Sequence, residues 1–369
     1  MKKLLFVFGT RPEAIKMAPL ILEFKKYPGL FDVNICLTAQ HRQMLDQVNS
    51  FFGIEADYDL NLMIPNQTLA GLTSRCIIEL EKVILESKPD ILFVQGDTTT
   101  VMSAAITSYY HKISVAHLEA GLRSGHKYSP FPEEINRIIA GHIADWHFAP
   151  TEKAKQNLLK EGINKNIYVV GNTVIDALLL GLSIIKNKEE EYKNYFKFID
   201  FSKRIILVTG HRRESFGEAF KNICYAIKKI ADNFKDVEIV YPVHLNPNVQ
   251  KPVKEILSNV DRVHLIEPLD YPYLIWLMNK CYFVLTDSGG IQEEAPALGK
   301  PVLVMREVTE RQEGVDAGTA VLVGSDKENI YNKACILLKD NECYQKMSKA
   351  INPYGHGNTS KEIVEILKQ

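Results

Sequence analysis

The sequence carries no excess of either charge: 44 Lys and Arg against 45 Asp and Glu over 369 residues leave a net charge of −1. A protein that gripped nucleic acid or an anionic membrane would ordinarily be basic, so neither is expected as a partner. The sequence also lacks any apolar run near the ~18 residues of a membrane-spanning helix. Its start, MKKLLFVFGT, sets two lysines before an apolar stretch. LLFVF is short for a signal peptide, however, and GTRPEAIK follows in place of a small-residue cleavage site, so the segment reads as a first strand. No C-x-x-C pair occurs among Cys36, Cys76, Cys224, Cys281, Cys335 and Cys343. Reduced thiols in a cytoplasmic protein fit that scatter better than a disulfide framework. His142 and His147 lie five apart, but nothing completes a ligand set around them, so no metal is expected. Neither G-x-G-x-x-G nor G-x-S-x-G is present, which argues against a dinucleotide cofactor and a serine-hydrolase elbow.

What is present is a long alternation of two patterns. Short runs rich in Val, Ile, Leu and Phe recur: KLLFVFG, VNICLTA, DILFVQG, ISVAHLE, WHFAP and NIYVVG, then RIILVTG, VEIVYPV, VHLIEP, YFVLTD, PVLVM and AVLVG. These are continuous apolar runs, as expected of parallel strands buried on both faces, and helical patterns separate them. The fold class is therefore α/β with doubly wound parallel sheets. Twelve strands are too many for one such sheet, and the length exceeds the roughly 250–300 residues that one core supports. Residues 183–203, SIIKNKEEEYKNYFKFIDFSK, are charged and carry no buried-strand pattern, so two domains joined near 172–203 are expected, with a cleft where ligands meet the strands' carboxyl ends.

Several motifs fall at those ends. In FGTRPEAIKMAPL a turn opens a helix near Pro12, with Arg11 and Lys16 close to its start, an arrangement suited either to an anion or to plain solvation. LTDSGGIQEEAPALGKPVLVM ends a strand at Asp287, turns on Ser288, Gly289 and Gly290, and starts a helix, resembling a phosphate cradle. Of Glu293 and Glu294 just beyond, one suits ribose hydroxyls and the other the helix end. Asp97 in VQGDTTT is an N-cap or a cleft acid. VTGHRRESFGE and YPVHLNP bring His211, Arg212, Arg213 and His244 to strand ends in the second half. HLEAGLRSGHKYSPFPEEINR concentrates Glu119, Glu133, Glu134, His117, His126, Arg123 and Arg137. Cations and helix starts from both halves suggest a diphosphate, and carboxylates with a histidine suggest proton transfer. A nucleotide-sugar enzyme doing acid–base chemistry fits.

Together with TAQHRQMLDQV and NPYGHGNTS, these motifs resemble, in order and over almost the whole chain, the bacterial non-hydrolysing UDP-N-acetylglucosamine 2-epimerases. The resemblance implies the glycosyltransferase-B architecture, with an N-terminal Rossmann-like domain of residues 1–171 plus 355–369 and a UDP-binding domain of residues 172–354. It implies reversible conversion of UDP-GlcNAc to UDP-ManNAc through 2-acetamidoglucal, without a cofactor, for surface polysaccharides. It implies catalytic roles for Asp97, Glu119, Glu133 and His211, and substrate contacts for Arg11, Lys16, Arg137, Ser288, Gly289, Gly290 and Glu294; Glu134 is expected to be structural. It also implies a homodimer, and an activator site near Gln40, Gln43 and Gln67, where Asn66 replaces an arginine of some relatives. Glu310-Arg311-Gln312-Glu313 stands where many relatives have Glu-Arg-Pro-Glu, which should loosen a loop. The rivals are another UDP-sugar as substrate, a hydrolysing epimerase, a glycosyltransferase of the same fold and a catalytically inert sugar-nucleotide sensor.

Overall fold

The apolar runs pair into two sheets in which every paired strand is parallel. The computed structural model describes residues 1–38, 42–64 and 67–368, and the backbone but not the side chains of 42 and 43. The first sheet contains β1 (Lys2–Phe8), β2 (Phe31–Leu37), β3 (Tyr58–Asp59), β4 (Ile91–Gln95), β5 (Ser114–Leu118), β6 (Trp146–Ala149) and β7 (Ile167–Val169). Its order is β3-β2-β1-β4-β5-β6-β7. The second contains β8 (Arg204–Thr209), β9 (Val237–Pro242), β10 (Val263–Ile266), β11 (Phe283–Thr286), β12 (Val302–Val304) and β13 (Ala320–Leu322), in the order β10-β9-β8-β11-β12-β13. The twelve expected strands are all there. The additional one, β3, is two residues long and carries no pattern of its own; it exists because Asp57 accepts from the Ile35 N–H at 2.8 Å and holds the chain against β2.

Each sheet belongs to its own compact unit, Met1–Leu180 with Tyr354–Gln369 and Gly181–Pro353. The division therefore falls at 180/181 and not at 171/172. Residues 172–180 stay with the first unit because the Asn172 N–H donates to the Tyr354 carbonyl at 2.7 Å and the Ser360 N–H donates to Asp176 at 2.8 Å. The helix Thr359–Lys368 lies on the helix Arg11–Phe24 and buries Ile363, Val364 and Leu367. In the first core Phe6 stacks on Phe93 at 4.6 Å, and Phe24 meets Phe93 edge-on at 5.5 Å. Burying each such ring is worth roughly 1.5–3 kcal/mol. All six cysteines are free. Among the described residues no helix is long and apolar enough to cross a membrane.

Both sheets reverse their winding once, between β1 and β4 and between β8 and β11. The loops leaving such neighbouring strands diverge, and the gap at their carboxyl ends is the customary ligand position of a doubly wound sheet. Here those ends carry Gly9 and Thr10 beside Gly96 and Asp97, and Gly210 and His211 beside Asp287 and Ser288.

Candidate active site

Glu119 directly follows β5 and holds its backbone at φ +60°. A non-glycine residue in the left-handed region costs about 1–3 kcal/mol and persists only where its surroundings over-determine it. Three side chains do so here. Lys16 Nζ donates to Glu119 Oε1 at 2.5 Å, Asn172 Nδ2 donates to the same oxygen at 2.6 Å, and Gln95 Nε2 donates to Oε2. Lys16 and Glu119 are 9% and 7% exposed, so this is a buried ion pair whose partners also have hydrogen bonds.

Next to it, Gly96 takes φ +78° and turns the chain into Asp97. The Gly96 carbonyl accepts from His117 Nε2 at 2.8 Å, which places the imidazole proton on that nitrogen. Burial pushes the His117 pKa down to about 4, outweighing the Gly96 bond, so the ring is neutral at pH 7. Its Nδ1 is buried without a hydrogen-bond partner.

Arg137 reaches Asp97 Oδ2 with one guanidinium nitrogen and Glu134 Oε2 with another, the latter at 3.2 Å. Glu134 in turn accepts from the Ser124 and Gly125 N–H groups, each at 3.0 Å. It thereby pins the loop after β5 to the start of the helix Glu133–Ile143, a structural role. Glu133, one residue earlier, keeps a buried carboxylate oxygen, Oε2, without a hydrogen-bond partner. Arg11 is half-buried and makes no hydrogen bond or ion pair among the described residues. Gln40 and the side chain of Gln43 lie outside the described residues, and Gln67 accepts from Arg75 Nη2 at 2.6 Å.

In the second unit, Asp287 is almost wholly buried and fixes the end of β8. Its Oδ2 accepts from the His211 and Arg212 N–H groups at 2.7 and 2.8 Å, and its Oδ1 lies 3.4 Å from His211 Nδ1. The His211 ring, 41% exposed, stacks on His244 with centroids 5.2 Å apart. A carboxylate facing Nδ1 orients an imidazole and favours its proton on that nitrogen. The helix Gly289–Ala297 begins just beyond, and the unpaired N–H groups of a helix start favour an anion. A Cβ on Gly289 would lie 3.3 Å from Glu310 Oε1 and 3.5 Å from Arg311 Cζ, so a side chain there would press on the Glu310 carboxylate.

Behind that turn runs a chain of charges. Arg311 Nε donates to the fully buried Glu293 at 2.7 Å; Arg306 donates to Glu310 at 2.8 Å and to Glu214 at 2.6 Å. Burial alone would raise the Glu310 pKa, but the Arg311 and Arg306 guanidiniums overcome it and hold it at about 2. Glu293 is thus committed to structure, whereas Glu294 accepts from the Tyr271 hydroxyl at 2.9 Å and sits beside Gly290. The loosened loop expected at Gln312 is instead the first turn of a short helix, Gln312–Asp316, a position that proline also suits.

Four positions that the sequence did not single out as site residues support the rest. Glu13, 2% exposed, accepts from the Gly9 and Thr10 N–H groups at 3.0 and 2.8 Å and from Thr98 Oγ1 at 2.6 Å, tying the β1 and β4 turns together. The T-x-x-E spacing of Thr10 and Glu13 was a readable signal for it. Gln95, Asn172 and the buried role of His117 had none.

The sequence model of the UDP-N-acetylglucosamine 2-epimerase family matches residues 23–368. The UDP-N-acetylglucosamine 2-epimerase of Escherichia coli K12 is 54% identical over 371 residues, covering 99% of this chain and 98% of that one. The crystal structure of the UDP-GlcNAc 2-epimerase from Neisseria meningitidis bound to UDP-GlcNAc superposes with a TM-score of 0.94 at 51% identity, covering all of both chains. An S. aureus MnaA–UDP co-structure gives 0.88 at 45% identity, covering 100% of this chain and 96% of that one. The two Rossmann-like units are of the glycosyltransferase-B type, and the chain belongs to the UDP-N-acetylglucosamine 2-epimerase family.

Proposed function

We propose that this protein interconverts UDP-GlcNAc and UDP-ManNAc by inverting C-2 of the sugar, with UDP retained in the product. The observation that carries the reading is Glu119: a strained, buried carboxylate held by three donors at a strand end, in the same unit as Asp97 and Glu133. The relatives bound to UDP-GlcNAc and to UDP support the ligand.

In this reading a carboxylate takes the C-2 proton as the C-1–O bond to UDP breaks. The bond's electrons leave with the diphosphate, and the C–H pair becomes the double bond of 2-acetamidoglucal. UDP then adds back at C-1 while a proton reaches the other face of C-2, so no oxidant or reductant is consumed. Glu133 Oε2 lacks a hydrogen-bond partner among the described residues and is therefore suited to exchanging a proton. Within the second unit, His211 and the helix start at Gly289 and Gly290 oppose the charge of departing UDP and Glu294 meets the nucleotide; within the first, Arg11 is a cation suited to an anion.

In heavy water without added nicotinamide, UDP-ManNAc formed from UDP-GlcNAc should carry deuterium at C-2. Proton NMR reads both the label and the intact UDP linkage. Full protium at C-2 would overturn proton transfer through solvent-exchanging groups, and release of free ManNAc with UDP would replace the reading by a hydrolysing epimerase. A homodimer is part of the proposal. Exposed Ile78 and Leu85 on one helix and Tyr109 and Tyr110 at the end of its packed neighbour support it, and light scattering tests it.

A further inference from the structure

We infer that Asn172 is a positioning residue that fixes the Glu119 carboxylate to the place where the chain leaves and re-enters the first unit. The inference rests on the proposal that Glu119 acts at the sugar.

All the polar functions of Asn172 that matter here are engaged, and the residue is 2% exposed. Its Nδ2 donates to Glu119 Oε1 at 2.6 Å, its Oδ1 accepts from the Val174 N–H at 3.1 Å, and its own N–H donates to the Tyr354 carbonyl at 2.7 Å. The two chain segments pack closely at Gly171. A Cβ on Gly171, at φ +86°, would come within 2.9 Å of the Tyr354 carbonyl oxygen and 3.2 Å of Gly355 Cα. Thr359 Oγ1 closes the same corner by donating to the Val170 carbonyl at 2.7 Å. The backbone of Asn172 is thus anchored to the returning segment, and its amide cannot swing away from Glu119 without losing the Val174 bond.

Glu119 needs such an outside restraint because its backbone sits in the left-handed region. Lys16 on the first helix and Gln95 at the end of β4 restrain it from two other directions. An amide adds a hydrogen bond to the carboxylate without placing a second charge beside Lys16. Among the charged and titratable groups facing Glu119 are Lys16 and, through the field it feels from Glu119, His117. The helix Thr359–Lys368 contributes only Thr359 and Ile363 to the small cavity that Glu119 and Asn172 share.

The test compares the full-length protein with Asn172→Ala and Asn172→Asp. In the alanine variant kcat should fall ~10–100-fold, as expected when a reacting group is misplaced by about an ångström, with KM for UDP-GlcNAc nearly unchanged. In the aspartate variant two carboxylates meet, and one must hold a proton to higher pH. The acid limb of its kcat–pH profile should move up by about one unit or more. A folded alanine variant with wild-type kcat, or an aspartate variant with an unmoved acid limb, would overturn the inference. Should the alanine variant fail to fold, the aspartate variant, which keeps the side-chain shape and the acceptor for Val174, carries the test. Titration of ¹³C-carboxyl-labelled glutamates, with Glu119→Gln to identify the signal, needs no turnover. A Glu119 signal that titrates higher in Asn172→Asp supports the contact even if wild-type protein makes no UDP-ManNAc, an outcome that would sink the functional reading alone.

Discussion

Glu119→Gln is expected to lower kcat at least ~100-fold, the lower end of what a general acid–base group contributes. Glutamine has the same shape and can still accept from Asn172, so geometry is largely kept while charge and proton capacity go. The sequence alone suggests no cost in folding, since the residue sits at a strand end. The buried pair with Lys16 changes that expectation. Removing the carboxylate leaves an ammonium group that is 9% exposed with less compensation, and breaking such a pair costs up to ~3 kcal/mol. Steady-state rates and urea denaturation, measured on the same preparation, should both move. An active Glu119→Gln enzyme would remove the residue from the mechanism; a stability unchanged within error would show that Lys16 is solvated on unpairing.

His117 should make stability fall steeply in mild acid. Its folded pKa, about 4, lies below the ~6.5 of an unfolded histidine. Between those values the unfolded chain takes up a proton and the folded one does not. The contribution is thus fully present above about pH 6.5 and is lost as the pH falls towards 4. At ~1.4 kcal/mol per unit it amounts to ~3 kcal/mol. Arg123 and His147 push in the same direction as burial, while Glu119 and the Gly96 carbonyl push against it. His147, also lowered chiefly by burial, adds to the effect. Glu13 has the opposite sign: burial raises its pKa, so its contribution is lost as pH rises from near 4.5 through the raised value. His117→Gln can still donate to the Gly96 carbonyl. Its unfolding free energy should decline less between pH 7 and 4.5 than that of the wild type. Parallel declines would mean that His117 is not the group responsible.

The fold was legible because its parallel strands are buried on both faces and leave unbroken apolar runs; β3, two residues long, leaves none. The division at 180/181 falls within the expected join of 172–203, but nothing in GNTVIDAL announces the hydrogen bonds to Tyr354 and Ser360, some 180 residues away, that keep 172–180 with the first unit. In the site, residues at strand ends were found by topology. Those that hold them were not: Gln95 belongs to a buried strand, and Asn172 reads as an ordinary loop amide. Glu293 and Glu294 are adjacent and chemically identical, and only the approach of Arg311 to one and Tyr271 to the other separates them.

The return of residues 354–368 to the first unit bears on how the molecule is made. A ribosome finishes the whole of the second unit before it synthesises the helix that covers Arg11–Phe24. Throughout that interval the older unit must wait with an apolar flank uncovered, and the surface awaiting Ile363, Val364 and Leu367 is open to chaperones or to other nascent chains. The younger unit, continuous in sequence, is free to fold first. Chains arrested at residue 353 should accordingly show protease resistance in Gly181–Pro353 before Met1–Leu180 acquires it, and resistance in the reverse order would contradict this vectorial sequence.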